Sequence, residues 1–285
     1  MGRRVLIIKT GHTETFGQED ASGAPSLGDV LRTTVILPLF QYDDVTWFTS
    51  PEAAGLLLRS TGIASLLTDP AKLKGPFDVV VNLEAEARFV ELASSVGAQE
   101  IFGFTSMSST LAALPGETWQ RGLYRLLGHD WRGEGYSFRL PSTEVTADVG
   151  LNWAVGSKWP TKAWGESSWS ELGEKLSSEH SVSWQKGFDS IDEYIDWIAS
   201  CRTVITQDSL GLHLALAMGK KVVAIFGPTP SGAVEMYDRG RSISPDGVRF
   251  SCAPCWRASC PKDVTCMQAL SVNEVFQAFS EITAC

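Results

Sequence analysis

One stretch of the sequence places an acid and hydroxyl groups where a buried strand gives way to a helix. Residues 203–206 have the composition of a strand, and residues 210–218 form an apolar helical stretch followed by Gly219. The turn between them puts free backbone N–H groups and the positive end of a helix dipole at the carboxyl edge of a sheet, which suits a diphosphate. The candidate contacts are Asp208, Ser209, Leu210, Gly211, His213 and Thr229. Two alternatives stay open: Asp208 or Ser209 is an ordinary helix N-cap, and His213 is a packed core residue.

Most of the cysteines are clustered near the end of the chain. The cluster consists of Cys252, Cys255, Cys260 and Cys266, whereas Cys201 and Cys285 stand apart. Four thiols joined by short loops match the ligand number of a structural zinc or iron site. Such a site would not be catalytic, because protein thiols fill every position. The alternative is a set of reduced thiols in a loop.

The composition excludes several classes of protein. With 285 residues, 44% hydrophobic and 20% charged, the chain is globular and long enough for two domains. A net charge of −9 argues against a general nucleic-acid binder, although a local basic pocket is compatible with it. There is no run of about 18 apolar residues, and residues 5–8 are too few for a signal-peptide core. We therefore expect a cytoplasmic protein without a transmembrane segment, for which a peripheral membrane contact stays open.

Strands and helices alternate along both halves of the chain, as in βαβ units around parallel sheets. The predicted strands are 4–8, 45–49, 78–83, 100–104, 151–155, 181–185, 203–206 and 221–226, and the predicted helices are 29–40, 51–60, 89–96, 210–218 and one from about 168. Ser-x-x-Glu capping boxes predict helix starts at Ser168, Ser190 and Ser271. The glycine-containing connection 131–150 holds the boundary, so we predict domains 1–145 and 146–285.

Three motifs occur in the order found in one known family. Residues 208–229 resemble the nucleotide-sugar motif of glycosyltransferase family 9, the ADP-heptose:lipopolysaccharide heptosyltransferases, which reads Asp-(Ser/Thr)-Gly-x-x-His and then Phe-Gly-Pro-Thr. Residues 25–34 are similar to the N-terminal signature of that family, and residues 156–169 resemble its phosphate-contacting loop. The cysteine cluster resembles that of iron-containing autotransporter heptosyltransferases. One departure is that Leu210 stands where the family has glycine, which here falls at Gly211.

The resemblance implies an α/β protein with two Rossmann-like domains facing a cleft, the GT-B architecture. It implies transfer of a heptose or related sugar, with inversion and no required cofactor, from a nucleoside-diphosphate donor, with ADP-heptose favoured. The acceptor hydroxyl would belong to a lipopolysaccharide core, another glycan, a lipid-linked molecule or a small molecule. Asp29 would be the catalytic base, and Ser157 and Lys162 would steady the departing diphosphate. The alternatives are a helix N-cap for Asp29 and a solvated surface position for Lys162.

Acceptor contacts are expected at the strand ends of the first domain. His12 lies in the loop 10–24, which also contains Glu14, Glu19 and Asp20, whereas Glu84 and Arg88 follow the strand 78–83. Because binding sites gather at the carboxyl ends of parallel strands, we predict that His12, Glu84 and Arg88 contact the acceptor and that the loop is an acceptor lid. A solvated turn and a disordered excursion are the alternatives.

Residues 182–190 depart from the family where an acidic ribose contact and a full crossover helix are usual. We therefore expect a different base and ribose pocket. Two rival functions follow: a glycosyltransferase of the same fold that uses another donor on a natural product or protein, and a non-catalytic nucleotide-sugar-binding paralogue. The presence of Asp29, Lys162 and Asp208 together argues against the paralogue.

Overall fold

The structure is a computed structural model that describes residues 2–15, 24–108, 111–114 and 116–284. The chain forms two compact units, unit 1 (Met1–Arg139) and unit 2 (Leu140–Cys285). The change of unit therefore comes after Arg139, ahead of the predicted position after residue 145. The intervening residues are bonded into unit 2, since Thr143 Oγ1 donates to Asp196 at 3.0 Å and the N–H of Thr146 donates to the carbonyl of Ser200.

Unit 1 is built on a parallel sheet. Its described strands are β1 (Arg4–Ile8), β2 (Asp44–Phe48), β3 (Ser65–Leu67), β4 (Phe77–Asn82) and β5 (Ala98–Gly103), and its helices are α1 (Leu27–Thr33), α2 (Pro51–Leu57), α3 (Ala87–Ser95) and α4 (Trp119–Leu126). The strand order is β3-β2-β1-β4-β5, and Ile7 of β1 pairs with Trp47 on one side and Val81 on the other. The sequence predicted neither β3 nor α4.

The central strand of unit 1 is buried on both faces. Val5 and Ile7 pack into one apolar cluster, whereas Leu6 and Ile8 pack into another on the opposite face. Successive side chains of a strand point to opposite faces, so this continuous apolar run requires helices on both sides of the sheet. This burial is why β1 could be predicted to the residue.

The predicted helix 29–40 is split in two. The α-helix α1 ends at Thr33, and a 3-10 helix follows over Thr34–Phe40 with Pro38 inside it. Proline has no backbone N–H to donate, so a regular α-helix is disfavoured there. The hydroxyl of Thr33, the last residue of α1, donates to the carbonyl of Asp29, the predicted base.

Unit 2 repeats the architecture with its own parallel sheet. Its described strands are β6 (Ala147–Asn152), β7 (Val182–Trp184), β8 (Cys201–Gln207), β9 (Lys221–Ile225) and β10 (Gly240–Ile243), and its helices are α5 (Glu166–Ser177), α6 (Ile191–Ser200), α7 (Leu210–Ala217) and α8 (Val272–Thr283). The strand order is β10-β9-β8-β6-β7. The helix α6, whose start at Ser190 the capping box predicted, forms the crossover between β7 and β8. None of the helices in the described part of the chain has the length and hydropathy to cross a membrane.

Two tryptophans fix the loop that precedes α5. Trp164 is fully buried, its ring meets that of Trp169 edge to face at 5.1 Å, and its Nε1 donates to the carbonyl of Leu270 at 2.9 Å. Aromatic pairs in this geometry add stability beyond the area they bury. The loop carrying Lys162 is thereby anchored to the core two residues further along.

The three predicted capping boxes have three different outcomes. At α8 the box is complete, because Ser271 Oγ accepts the N–H of Glu274 while the Glu274 carboxylate accepts the N–H of Ser271. At α6 Ser190 caps the N–H of Glu193, but that glutamate accepts from Asp189 instead. The prediction for Ser168 is wrong, because α5 already begins at Glu166, after Gly165 at φ +94°.

The cap at α8 gives a stability test with a matched control. We expect Ser271→Ala to lower the free energy of unfolding by about 1 kcal/mol, because a helix N–H loses its acceptor. Ser168→Ala makes the same change inside α5, where alanine is a good helix former, and we expect it to be neutral or slightly stabilising. Urea denaturation of both variants measures the difference. Equal losses in the two would show that the cap does not stabilise α8.

Candidate functional site

The candidate site of unit 2 lies at the point in its sheet where the chain, after forming β7 on one side of β6, continues with β8 on the other side. Strand β6 is flanked by β7 on one side and β8 on the other, and in parallel α/β sheets ligands bind at the carboxyl ends of strands beside such a reversal. Asp208 follows β8 directly and is 7% exposed. Its Oδ2 accepts from Lys162 Nζ at 2.8 Å and from Thr229 Oγ1 at 2.6 Å. Lys162 and Thr229 therefore both bond to the carboxylate of Asp208, and all three residues were predicted from the sequence.

The charge on Asp208 is fixed by this arrangement. Burial alone would raise the pKa of Asp208, but the charges of Lys162 and His213 and the hydrogen bonds from Lys162 and Thr229 lower it to about 2. The carboxylate is therefore ionised at neutral pH. The Lys162 side chain keeps 15% of its surface exposed, and its ammonium is oriented by the contact with Asp208.

The start of α7 is shaped by a polar network that the sequence did not reveal. Ser209 occupies the N-cap position without a side-chain cap bond, and its hydroxyl accepts from Asn152 Nδ2 at 3.0 Å. Tyr194 donates to Asn152 Oδ1 at 2.7 Å, and burial raises the pKa of this tyrosine above its ordinary value. A Cβ on Gly211 would lie 2.3 Å from Asn152 Nδ2 and 2.5 Å from Tyr194 Oη. Glycine is required at 211 by this packing, and Leu210 begins the helix.

The remaining predicted donor contacts have different settings. His213 is 3% exposed on α7, and its charge is among those that lower the pKa of Asp208. Ser157 is exposed in the turn after β6, and no hydrogen bond joins it to another described residue. The structure therefore buries His213 where its charge acts on Asp208, and it leaves Ser157 at the surface.

The candidate site of unit 1 is built around Asp29. The helix α1 begins at Leu27 after Ser26, so Asp29 lies in the first turn and is not its N-cap. It is 2% exposed, and its Oδ2 lies 2.5 Å from Lys9 Nζ and 3.2 Å from both the N–H and Oγ1 of Thr15. Arg32 donates to the other oxygen. Both oxygens of the predicted base therefore have donors.

Electrostatics keep the Asp29 carboxylate ionised. Burial would raise its pKa, but the charges of Lys9 and Arg32 outweigh burial and hold the pKa well below its usual range. The pKa of Lys9 is raised, because Asp29 and Glu84 outweigh the effect of its own complete burial. Lys9 was not singled out from the sequence.

Glu84 organises the loop that follows β1. Its Oε1 accepts the N–H groups of Thr10 and Gly11 at 2.7 and 2.6 Å, and its Oε2 accepts that of Thr13 at 2.7 Å. The residue is fully buried, and Lys9 Nζ lies 3.5 Å from it. This position gives Glu84 a role in holding the loop, and its contact with an acceptor stays a prediction.

His12 and Arg88 line one cavity of about 360 Å³ in unit 1. His12 Nδ1 shares a hydrogen bond with Thr10 Oγ1 at 2.8 Å, and the Arg88 Nε donates to Glu86 at 2.8 Å. Glu14 lies 3.7 Å from Arg32. Glu19 and Asp20, like most of the predicted lid, lie outside the described residues. Two of the three predicted acceptor contacts are thus brought together.

The four clustered cysteines are free thiols. Burial raises the pKa of Cys266, and the charges of Cys255, Cys252 and Cys260 raise it further. Within the described ranges, no group of three or more His, Cys, Asp or Glu side chains has an arrangement that holds a metal ion. The metal site therefore stays a prediction, which rests on the number and type of the thiols.

The segment that contains β8 and α7 is similar in sequence to a known family. Residues 189–265 match the sequence model described as glycosyltransferase family 9 (heptosyltransferase). Lipopolysaccharide heptosyltransferase 1 of Pseudomonas aeruginosa is 29% identical over 40% of this chain. The matched part is 39% of the length of that relative.

Solved structures are similar over nearly the whole chain. A glycosyltransferase family 9 protein from Veillonella parvula has a TM-score of 0.73 at 14% identity, with 99% of this chain and 97% of that chain covered. The E. coli heptosyltransferase WaaC with ADP has a TM-score of 0.68 at 15% identity, with 98% and 99% covered. The resemblance to glycosyltransferase family 9 is confirmed. So is the α/β fold class with its two Rossmann-like units.

The family match covers only part of the site. Asp208, His213 and Thr229 lie within the matched residues, together with the four clustered cysteines. Asp29 and Lys162 lie outside that range, and their assignment rests on the sequence motifs and on the geometry above. At these identities, the likeness to solved structures extends to the fold alone.

The low pKa of Asp208 predicts a pH-dependent contribution to stability. Because the folded pKa, about 2, lies below the ordinary value of 3.8, the unfolded chain takes up the proton first as the pH falls. This contribution is complete above about pH 4 and is lost towards pH 2, and its size is about 2 kcal/mol. We expect the free energy of unfolding of the wild type to exceed that of Asp208→Asn at pH 4. This difference should shrink by about 2 kcal/mol between pH 4 and pH 2, as measured by urea unfolding.

Asp189→Asn provides the control, because it makes the same change at an exposed aspartate of unit 2. Its stability difference from the wild type should stay nearly constant over the same pH range. Parallel pH profiles for the wild type and Asp208→Asn would contradict the ion pair with Lys162.

Proposed function

We propose that the chain is an inverting glycosyltransferase that moves a heptose or related sugar from ADP-heptose to a hydroxyl of a lipopolysaccharide core or another glycan. The observation that carries this proposal is the meeting of Lys162, Asp208 and Thr229 beside the start of α7. Two of these residues, Asp208 and Thr229, lie within the family match. Among the structural neighbours, the E. coli protein is described with ADP and with an ADP-heptose analogue.

Unit 2 supplies the groups that a departing diphosphate needs. As the bond between the sugar carbon and the phosphate oxygen breaks, the bonding electrons leave with the nucleoside diphosphate. The Lys162 ammonium and the free N–H groups at the start of α7 offset that negative charge. Asp208 positions Lys162 and leaves part of it exposed. No step requires a cofactor.

Unit 1 supplies the base. An Asp29 oxygen takes the proton of the acceptor hydroxyl while the acceptor oxygen bonds to the sugar carbon from the face opposite the leaving group, which inverts that carbon. The donors of Thr15, both at 3.2 Å, are the longest contacts to Asp29 and carry no charge. They are therefore the contacts that an acceptor hydroxyl replaces at lowest cost.

One observation favours a second candidate, a glycosyltransferase of this fold with a different donor. The segment 182–190 departs from the family where an acidic ribose contact is usual, and it includes Gln185, whose Oε1 accepts the N–H of Ala154 at 2.9 Å. Its carbonyl accepts from Trp153 Nε1 at 3.0 Å. A glutamine held in this way does not offer a carboxylate to a ribose, which supports a natural product or protein glycosyltransferase with another nucleotide.

The proposal places the protein in the cytoplasm, where nucleotide sugars would be its donors, with a lipid-linked glycan or small molecule as the other acceptor classes. It also includes one structural zinc or iron on Cys252, Cys255, Cys260 and Cys266. The donor set supports this part, because four thiolates suit either metal. A structural neighbour, TibC of E. coli, is described as an iron-containing glycosyltransferase, at 14% identity and a TM-score of 0.66 over 99% of this chain and 76% of that chain.

Calorimetry with ADP, UDP, GDP, CDP and TDP tests the donor first. We expect selective ADP binding, which Lys162→Met weakens by about tenfold or more because a charged contact to the diphosphate is lost. Lys175→Met, an exposed lysine of α5, is the matched control and should bind ADP like the wild type. Selective binding of another nucleotide would support the second candidate. Binding of none would contradict both.

The base is tested by Asp29→Asn in a transfer assay. We expect the rate of sugar transfer to fall by about 10²-fold or more while ADP binding to unit 2 is retained, because an asparagine amide of similar size cannot take the proton. Asp43→Asn, an aspartate of unit 1 that pairs with Arg3 near the surface, is the control and should keep its activity. An Asp29→Asn protein as active as the wild type would exclude Asp29 as the base.

Metal analysis of the purified protein tests the cysteine cluster. We expect close to one zinc or iron per chain, lost in Cys260→Ser because one of four ligands is removed. Cys201→Ser is the matched control, since Cys201 is buried in β8 apart from the cluster. A protein purified under reducing conditions without either metal would contradict the site.

A further inference from the structure

The cavity that His12 and Arg88 line has features that the proposed function does not explain. It lies at the carboxyl ends of β1, β2 and β3, and its wall also includes Phe48, Thr49, Glu52 and Phe89. Its volume, about 360 Å³, is at the lower end of the range for small-molecule sites. Every lining residue belongs to unit 1 and lies among the described residues.

The buried hydroxyl of Thr49 indicates which kind of ligand this cavity binds. Thr49 is 1% exposed, and its Oγ1 forms no hydrogen bond with any residue that the structure describes. A buried hydroxyl left in this state costs about 1–3 kcal/mol, whereas a bonded one can donate once and accept twice. A ligand group in the cavity that bonds to this oxygen recovers that cost. A hydroxyl-bearing ligand matches both of its capacities.

The charges of the lining restrict the ligand further. Glu52 contributes a carboxylate and Arg88 a guanidinium, and the latter is already paired with Glu86 at 2.8 Å. His12 is the third titratable group, and one of its ring nitrogens is engaged by Thr10. An anionic ligand would meet the Glu52 carboxylate without an unpaired cation to offset it. The lining therefore favours a ligand without net charge.

Aromatic rings form the apolar part of the wall. The rings of Phe48 and Phe89 lie 6.3 Å apart between centroids, and the Arg88 guanidinium lies 4.5 Å from the centre of the Phe89 ring. Apolar ring surface suits the C–H face of a sugar, while the hydroxyls and charged groups around it suit the hydroxyl groups. The combination matches a ligand that is polar at its rim and apolar across its face.

We propose that this cavity binds an uncharged sugar ring of the acceptor, with Thr49 Oγ1 bonded to one of its hydroxyls and Phe48 and Phe89 against its face. The inference rests on the proposed function in taking that sugar as part of the acceptor. It excludes a sugar acid or a phosphorylated sugar as the residue held at this position. Thr49 is then a residue that sets acceptor specificity.

Saturation-transfer NMR with the full chain tests the cavity without any transfer reaction. The probes are methyl glucoside and methyl mannoside as uncharged rings, and glucuronic acid and glucose 6-phosphate as charged ones. We expect the uncharged rings to bind more tightly, and Thr49→Val to weaken them about tenfold because one hydrogen bond is lost. Thr203→Val is the matched control, since Thr203 Oγ1 is equally buried and unpartnered but lies in unit 2.

The binding of these sugars to the wild type and to Thr49→Val distinguishes the proposed site from its alternatives. Thr49→Val keeps the shape of the side chain and removes an unsatisfied hydroxyl, so the variant is expected to be at least as stable as the wild type. Tighter binding of the charged sugars, unchanged binding in Thr49→Val, or no binding of any uncharged ring at millimolar concentration overturns the proposal. Bound uncharged sugars in a protein that binds no nucleotide would preserve this site and refute the glycosyltransferase.

Discussion

The ion pair between Lys9 and Asp29 is the contact on which unit 1 depends. Lys9 Nζ lies 2.5 Å from the carboxylate and also donates to the carbonyls of Thr13 and Leu83, so one ammonium joins the ends of β1 and β4 to α1. Both side chains are almost fully buried. Replacing Lys9 by a neutral residue would leave the buried carboxylates of Asp29 and Glu84 without this cation, which costs several kcal/mol. The loop around the candidate base therefore depends on the charge of Lys9.

Unit 2 uses the same kind of pair for a different purpose. Lys162 and Asp208 lie 2.8 Å apart, but the lysine side chain is 15% exposed, whereas that of Lys9 is completely enclosed. An exposed ammonium can exchange water for a phosphate oxygen, whereas an enclosed one can act only on its protein neighbours. This difference in side-chain exposure suits Lys162 to the proposed contact with the donor diphosphate and Lys9 to holding the proposed base.

Features that depend on residues close together in the sequence could be predicted, whereas those that depend on residues far apart in the sequence could not. Strands such as β1 and β9 have continuous apolar runs, and the motif around Asp208 is local, so both were predicted. The strands β3 and β10 are three and four residues long and partly exposed, which leaves almost no pattern to read. The role of Glu84 depends on bonds to residues 71 to 74 positions away, and Asn152 meets Tyr194 across 42 positions. Such pairings leave no local signal.

The distribution of charge around Asp29 bears on how a carboxylate of low pKa can accept a proton. Among the described residues, three carboxylates, of Asp29, Glu84 and Glu14, face the two cations Lys9 and Arg32. When Asp29 takes a proton, Lys9 still has Glu84 at 3.5 Å and Arg32 still has Glu14 at 3.7 Å. Each cation therefore keeps a carboxylate neighbour when Asp29 is protonated. The second carboxylate beside each cation therefore makes a buried, ion-paired aspartate usable as a base.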